Sequence, residues 1–110
     1  MTNTQAVQFE ELRSLGFASI SGSYAAVGTP FEHPVRLICI TNNTDGEMLF
    51  STDASTDMLF IAAGSFKLFD LNTNRLHIDQ YFALAAGTQF YVKQNTAPTE
   101  GDVYIEVLYG

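Results

Sequence analysis

The residues best suited to catalysis or metal binding are few and stand apart in the sequence. The two histidines, His33 and His77, form no HxH or HxxxH pair, and no carboxylate motif frames either of them. Zinc coordination and general acid–base catalysis both need several such groups brought together. We therefore expect His33, next to Pro34, to be a loop residue and His77 to be a strand residue facing solvent or a neighbour.

An oxygen-rich segment, Asp70–Asn74, begins like a calcium-binding loop, with oxygen-bearing side chains at alternate positions. The similarity ends at Arg75, where such a loop needs its turn glycine, and at Tyr81, where it needs a bidentate Glu. Asp and Asn also form Asx turns without an ion, and this applies equally to the loop flanked by Asp53 and Asp57. The sequence therefore predicts turns at both places and no metal site.

The single cysteine, Cys39, lies in the apolar run Val35–Ile40, and its neighbours favour a small core residue. An intramolecular disulfide needs a second cysteine. The sequon Asn42–Thr44 has no secretion signal before it and is expected to be a turn. The sequence also contains no Gly-rich phosphate loop, GxSxG or CxxC motif. These observations predict a protein that is not an enzyme and needs no cofactor.

Charge and composition narrow the class of protein further. The formal net charge is −7, and the five basic residues are scattered singly, so the sequence predicts neither nucleic-acid nor anionic-membrane binding. No signal peptide and no apolar span of membrane length are recognisable, which favours synthesis in a reducing cytoplasm. The basic residues are Arg13, Arg36, Lys67, Arg75 and Lys93.

Short apolar runs alternate with clusters of Asn, Asp, Thr, Ser, Gly and Pro from Val35 to Tyr109. Strands rich in β-branched and aromatic residues, turned about every 8–12 residues, are typical of an all-β sandwich or barrel. With 110 residues, 46% of them hydrophobic, the chain suits one domain that folds without a metal or a disulfide. We predict an antiparallel, jelly-roll-like β-sandwich of about eight short strands.

The N-terminal region is patterned more weakly than the rest. We predict an arm over residues 1–13 and a β-sandwich domain over residues 14–110, the arm being either a frayed terminus or a segment that docks on a neighbouring chain. Within the domain, Phe17–Ile20 and Tyr24–Val27 are expected to form a tight hairpin through a central Gly. The arm carries isolated apolar residues and a basic residue at its base: Val7, Phe9, Leu12 and Arg13.

Period-two patterning predicts which side chains face the core. In the last strand Val103, Ile105, Val107 and Tyr109 share one side. Elsewhere Phe66 and Leu68 are expected to face opposite to Lys67 and Phe69, and Phe90 and Val92 opposite to Tyr91 and Lys93. An aromatic outer face and short strands with open edges suggest a covering partner, so we expect a homo-oligomer, a trimer more than a dimer. The predicted outer aromatic residues are Phe69, Tyr91 and Tyr104.

The stretch Phe31 to Tyr109 resembles the capsid decoration, or cement, proteins of tailed bacteriophages, in particular those with short tails. Such proteins are jelly-roll-like domains of about this size that sit on the outer shell at symmetry axes. The resemblance supplies no individual functional residue. It is carried by the segments Pro34–Asp45, Phe50–Asp53, Ile61–Ser65, Phe69–Asn74 and Gly101–Glu106.

The resemblance implies a virion structural protein, made in the host cytoplasm, that binds the major capsid protein and itself on the capsid surface. One alternative is a carbohydrate-binding module with a platform of Tyr81, Tyr91 and Tyr104, although the absence of Trp weakens it. Another places the domain at the tail or the head–tail joint. The candidate partner-binding residues are Val7, Phe9, Leu12, Arg13, Phe69, Tyr91 and Tyr104.

Overall fold

A computed structural model of the chain describes residues 8–71 and 84–109. The predictions for Val7, Arg75, His77 and Tyr81 lie outside these residues. None of the helices in the described ranges is long and apolar enough to cross a membrane. The strands are β1 (Gln8–Phe9), β2 (Arg13–Gly16), β3 (Ala25–Ala26), β4 (Leu37–Thr44), β5 (Met48–Ser51), β6 (Leu59–Ile61), β7 (Ser65–Asp70), β8 (Tyr91–Gln94) and β9 (Gly101–Tyr109).

The strands form two antiparallel sheets, which confirms the predicted all-β sandwich. Sheet 1 has the order β1-β9-β4-β7, with β2 also paired to β9, and sheet 2 has the order β3-β8-β5-β6. The chain passes repeatedly between the sheets, so that each sheet combines strands from both halves of the sequence. If β1 and β2 are counted as one broken strand, the interleaved order is of the jelly-roll type.

The core lies between the inner faces of the two sheets. On sheet 1, Val103, Ile105 and Val107 of β9 are buried, as the period-two pattern predicts. Phe90 and Val92 are also buried, whereas Tyr91 and Lys93 of β8 are only half-buried. Removing each large apolar side chain from water contributes roughly 1.5–3 kcal/mol, so these facing rows hold the sheets together.

The predicted hairpin over residues 17–27 is wrong. Phe17–Ser19 forms one turn of 3-10 helix, and Ala25–Ala26 pairs with β8 rather than with the preceding segment. The physical reason is topological, because β2 belongs to sheet 1 and β3 to sheet 2. The Gly-containing link Ser21–Ser23 therefore lies on the crossing from one sheet to the other.

Asn42 is a strand residue rather than part of the predicted turn at 42–44. It lies near the end of β4 and is fully buried, with its amide Nδ2 donating to the carbonyl oxygens of Gly46 at 2.8 Å and Ile61 at 3.0 Å. Its Oδ1 accepts from the hydroxyl of Thr44 at 2.6 Å. Because Ile61 belongs to sheet 2, this amide ties the two sheets together at one end, and its buried polar atoms are satisfied.

The N-terminal segment, where the structure describes it, runs along sheet 1. Gln8 and Phe9 pair with Tyr109 and Leu108 of β9, and Arg13 begins β2 opposite Ile105. β2 therefore crosses the boundary that the sequence predicts between residues 13 and 14. A role of residues 1–13 in attachment stays a prediction.

Candidate functional site

The outer face of sheet 1 is the surface best suited to bind a partner. We define it by the alternate strand positions that point away from sheet 2, as the register places them. Its side chains form three rows across the strands. They are Ser14, Tyr104, Thr41 and Phe66 in the first row, Glu106, Cys39 and Leu68 in the second, and Phe9, Leu108, Leu37 and Asp70 in the third. Gly16, Asp102 and Asn43 lie in line at the end of the face beyond the first row.

Large apolar side chains on this face are open to solvent. Phe9 is 73% exposed, Phe66 63% and Leu68 56%, and Leu12, directly before β2, is 54% exposed. Single exposed apolar residues are ordinary on soluble proteins. Several on one sheet face, together with half-buried Leu37 and Leu108, make a largely apolar surface of the kind that marks interaction sites.

The orientation predicted for β7 is wrong, and the error concerns this face. Phe66 and Leu68, expected to point inward, lie outside, whereas Phe69 pairs with buried Ile38 and packs against the core. Apolar residues occupy both phases of β7, so alternation alone does not identify the buried side. β7 is the last strand in the order of sheet 1, and its contribution to the core comes from Phe69 and the following Leu71.

The core position predicted for Cys39 is also wrong. It is half-buried on the outer face, with Sγ 3.8 Å from the hydroxyl oxygen of Thr41, rather than in the core. β4 is apolar at consecutive positions, and its buried phase is the one that holds Ile38 and Ile40. The thiol therefore lies in the second row of the face, between Glu106 and Leu68.

The predicted aromatic face does not exist as one surface. Tyr104 lies on the outer face of sheet 1, Tyr91 lies on β8 of sheet 2, and Phe69 points into the core. A carbohydrate platform that combines Tyr91 with Tyr104 is therefore excluded, since the two side chains belong to opposite sides of the sandwich.

The charges on the outer face of sheet 1 are negative. Glu106 is exposed in the middle of the face, Asp70 is exposed at the end of β7 opposite Leu37, and Asp102 lies at the other end, opposite Gly16 of β2 and Asn43 of β4. None of the described strand positions that define the face is Lys or Arg. The face therefore combines apolar side chains with carboxylates.

A buried charge cluster lies on the other side of the N-terminal segment and holds it in place. Glu10 and Arg13 have side chains only 3% and 5% exposed, and Arg13 Nη2 donates to Glu10 Oε1 at 2.8 Å. The guanidinium also donates through Nε to the carbonyl oxygen of Thr29 at 2.6 Å and through Nη2 to that of Pro30 at 3.0 Å. These bonds tie the segment between β1 and β2 to the loop before β4.

Glu10 also receives donors from that loop. The backbone N–H of His33 lies 2.8 Å from Glu10 Oε2, and ring Nδ1 of His33 lies at the same distance. Burial raises the pKa of the Glu10 carboxyl, but hydrogen bonds from His33, from the Glu32 backbone and from Arg13 outweigh it, and the pKa falls below its ordinary value. The His33 ring in turn stacks on Tyr109, with centroids 3.6 Å apart.

Sequence reasoning missed this cluster. His33 is a loop residue as predicted, but its carboxylate partner stands 23 positions earlier in the sequence, so no local motif could show the pair. Arg13, predicted as a partner-binding residue, is buried and forms its bonds within the chain. Its hydrogen bonds therefore stabilise the N-terminal segment against the rest of the chain.

The charged side chains on the outer face of sheet 2 are partly exposed to solvent. Lys93 Nζ lies 3.1 Å from the Asp57 carboxylate and 4.9 Å from the centre of the Tyr24 ring, and the Tyr24 hydroxyl donates to Asp57 at 2.6 Å. Hydrogen bonds from Tyr24 and Lys93 hold the pKa of Asp57 below its ordinary value, although its partial desolvation acts the other way. The only large apolar strand residue that is strongly exposed here, among the described residues, is Phe60 at 42%.

The described residues show few features suited to catalysis. They contain no group of three or more His, Cys, Asp or Glu placed to hold a metal ion. A shallow pocket of about 250 Å³ lies beside Leu12, Arg13 and Gly28, but the Arg13 guanidinium on its wall is already bonded. The Asp53 carboxylate accepts bonds from the Ser55 and Thr56 backbone, which is turn chemistry.

Comparison with known proteins gives one weak structural similarity. No family model matches the chain, and no curated protein matches it. Among solved structures, the chain is similar to the Dit protein (gp 19.1) of phage SPP1, described as a hub of the adsorption apparatus in phages that infect Gram-positive bacteria, with 12% identity and a TM-score of 0.44. The similarity covers 94% of this chain but 49% of that one, so this chain spans about half its length. A similarity this weak assigns no function.

Proposed function

We propose that this protein is a virion structural protein that attaches to the outer surface of a phage capsid as a decoration, or cement, protein. The observation that carries the proposal is the apolar, exposed outer face of sheet 1. The resemblance of residues 31–109 to decoration proteins supports the same function, because that resemblance implies a sandwich of this kind. The proposal includes no catalytic step and no cofactor, and its partner is the major capsid protein.

The outer face offers enough apolar surface to bind a protein but not to bind tightly through its most exposed residues alone. Phe9, Phe66 and Leu68 are already partly buried, so covering their exposed parts would contribute roughly 3–6 kcal/mol. Association itself costs an estimated 4–15 kcal/mol in lost freedom. The half-buried residues of the face, Leu37 and Leu108 among them, must therefore also contact the partner.

Self-association is a separate part of the proposal, with a trimer favoured over a dimer. Within the described residues, sheet 1 ends at β7 on one side and at β1 and β2 on the other, and sheet 2 ends at β3 and β6. Such edge strands carry unpaired backbone groups that pair readily with another chain. Light scattering after size exclusion measures the mass directly, and a monomer of 12.1 kDa at high concentration would contradict self-association in solution.

Binding to purified particles tests the attachment. Capsid shells assembled without this protein, and separately purified tails, are mixed with the full-length chain and sedimented. We expect saturable binding to shells, with a number of sites set by the shell symmetry, and none to tails. Binding to tails alone would place the protein at the tail or joint, and binding to neither would contradict a virion role.

A further inference from the structure

The charge on the outer face of sheet 1 points to the kind of partner that covers it. We propose that this face binds a different protein, one whose apolar contact surface carries Lys or Arg, and does not bind a second copy of the same face. This inference rests on the proposed role of the face in docking. It adds the chemistry of the partner, which the resemblance to decoration proteins leaves open.

Glu106 lies where a partner on this face has to cover it. Glu106 is exposed in the second row, with Tyr104 preceding it and Leu108 following it on the same side of β9, and with Cys39 directly across on β4. A partner that covers Phe9 and Phe66 must also cover this carboxylate, because the second row lies between the third row, which holds Phe9, and the first row, which holds Phe66. A carboxylate removed from water without a partner is costly, so the covering surface has to supply a cation or strong hydrogen-bond donors.

Twofold symmetry disfavours a contact between two copies of this face. In a twofold dimer the same patch meets itself, so side chains near the axis meet their own copies. A dimer through this face would bring Glu106 towards its counterpart, and the described strand positions of the face offer no Lys or Arg to separate the two. Like charges at close range disfavour such a contact. The net charge of −7 on each chain adds a weaker repulsion of the same sign.

Mixed-mode chromatography measures the chemistry of the face with probes of known composition. Two resins both carry phenyl groups, one with quaternary amines and the other with carboxylates, and the salt needed for elution at pH 7 is recorded. Glu106→Lys is compared with Glu100→Lys, which makes the same charge change at an exposed loop position before β9. We expect Glu106→Lys to lower the eluting salt on the amine resin at least twofold more than Glu100→Lys. Equal shifts would overturn the proposal.

The apolar part of the face has its own matched pair of variants. Phe66→Ser is expected to weaken retention on both resins, whereas Phe60→Ser, on sheet 2, is expected to change retention less. Equal losses would contradict the assignment of the docking surface to sheet 1. Circular dichroism confirms that each variant is folded, and Glu106→Gln replaces Glu106→Lys if the latter does not fold.

The alkylation rate of Cys39 tests whether a second copy covers the face. Cys39 is the only cysteine in the chain, and it lies in the same row as Glu106. Its reaction with N-ethylmaleimide is timed at low micromolar and at near-millimolar protein concentration. We expect equal rates, even if the chain assembles through its sheet edges. Severalfold protection at the higher concentration would show that the face binds itself. Neither experiment uses capsid shells, so these outcomes are independent of the shell-binding result.

Discussion

The two sheets of the sandwich differ in where their stabilising charged groups lie. On sheet 1, the charged groups that stabilise the N-terminal segment lie on its inner side, where Glu10 and Arg13 are almost completely buried. On sheet 2, Lys93 and Asp57 lie on the outside, with Lys93 26% and Asp57 50% exposed. The outer face of sheet 1 is thereby left largely apolar, with carboxylates as its charged groups, whereas the outer face of sheet 2 carries both a cation and a carboxylate.

The contribution of a charged group to stability therefore depends on its burial and its hydrogen-bond partners. The buried pair can fix β1, and with it the position of Phe9, because its geometry is completed by backbone groups of the loop at 29–33. The exposed network on sheet 2 is screened by water and salt, so it adds little to stability.

The largest expected effect is that of Arg13→Ala on stability. Removing the guanidinium leaves the Glu10 carboxylate buried without its ion-pair partner and leaves the Thr29 and Pro30 carbonyl oxygens without a donor. Breaking a buried pair in this way costs about 3–5 kcal/mol of unfolding free energy. Urea denaturation measures it, and a loss below about 1 kcal/mol would show that the cluster does not hold the segment.

The double variant Phe66→Ser with Leu68→Ser should lose affinity for capsid shells by about tenfold or more. Covering the exposed part of each side chain contributes roughly 1–2 kcal/mol, and 1.4 kcal/mol corresponds to about a tenfold change. Stability should change little, because both residues are exposed in the free chain. Phe60→Ser is the matched control on sheet 2, and an equal loss of affinity in that variant would remove the distinction between the faces.

Acid should weaken the cluster beneath sheet 1 in a way that Glu10→Gln reveals. The pKa of Glu10 is lowered in the folded chain, so its contribution is present above the ordinary value of 4.5 and is lost as pH falls through the folded-state value. We expect Glu10→Gln to be less stable than the natural chain at pH 7, and the difference to shrink below pH 4.5. A constant difference from pH 7 to pH 3 would contradict the assignment.

The smallest expected effect is that of Lys93→Ala on sheet 2. The variant removes the contact to Asp57 and the contact to the Tyr24 ring, both at the surface. Its melting temperature should fall by much less than that of Arg13→Ala, and shell binding should be unchanged. A loss of stability comparable to that of Arg13→Ala would show that the exposed network contributes as much as the buried one.

Much of the fold could be predicted from the sequence because local patterns encode it. Turn clusters mark most strand ends after residue 35, and the alternation in β9 and β8 identifies their buried sides correctly. The pattern fails where apolar residues occupy both phases. In β7 and β4 only the register shows that Phe69, Ile38 and Ile40 face the core while Phe66 and Cys39 face outward.

The candidate site was harder to predict, because it depends on long-range pairing. The outer face joins β1 and β2 at the start of the chain to β9 at its end through β9's pairing with both. Glu10 meets His33 only because the loop before β4 folds under β1. Exposed Phe9 and Leu12 were expected to contact a partner, and that expectation stays a prediction.

Cysteine footprinting on capsid shells tests the docking face most directly. Cys39 in the natural chain reports on sheet 1, and Phe60→Cys in a Cys39→Ser background reports on sheet 2. Each chain is alkylated free in solution and bound to shells. The account predicts that shell binding protects Cys39 at least tenfold and leaves the cysteine at position 60 reactive. Protection at position 60 with Cys39 still reactive would contradict it.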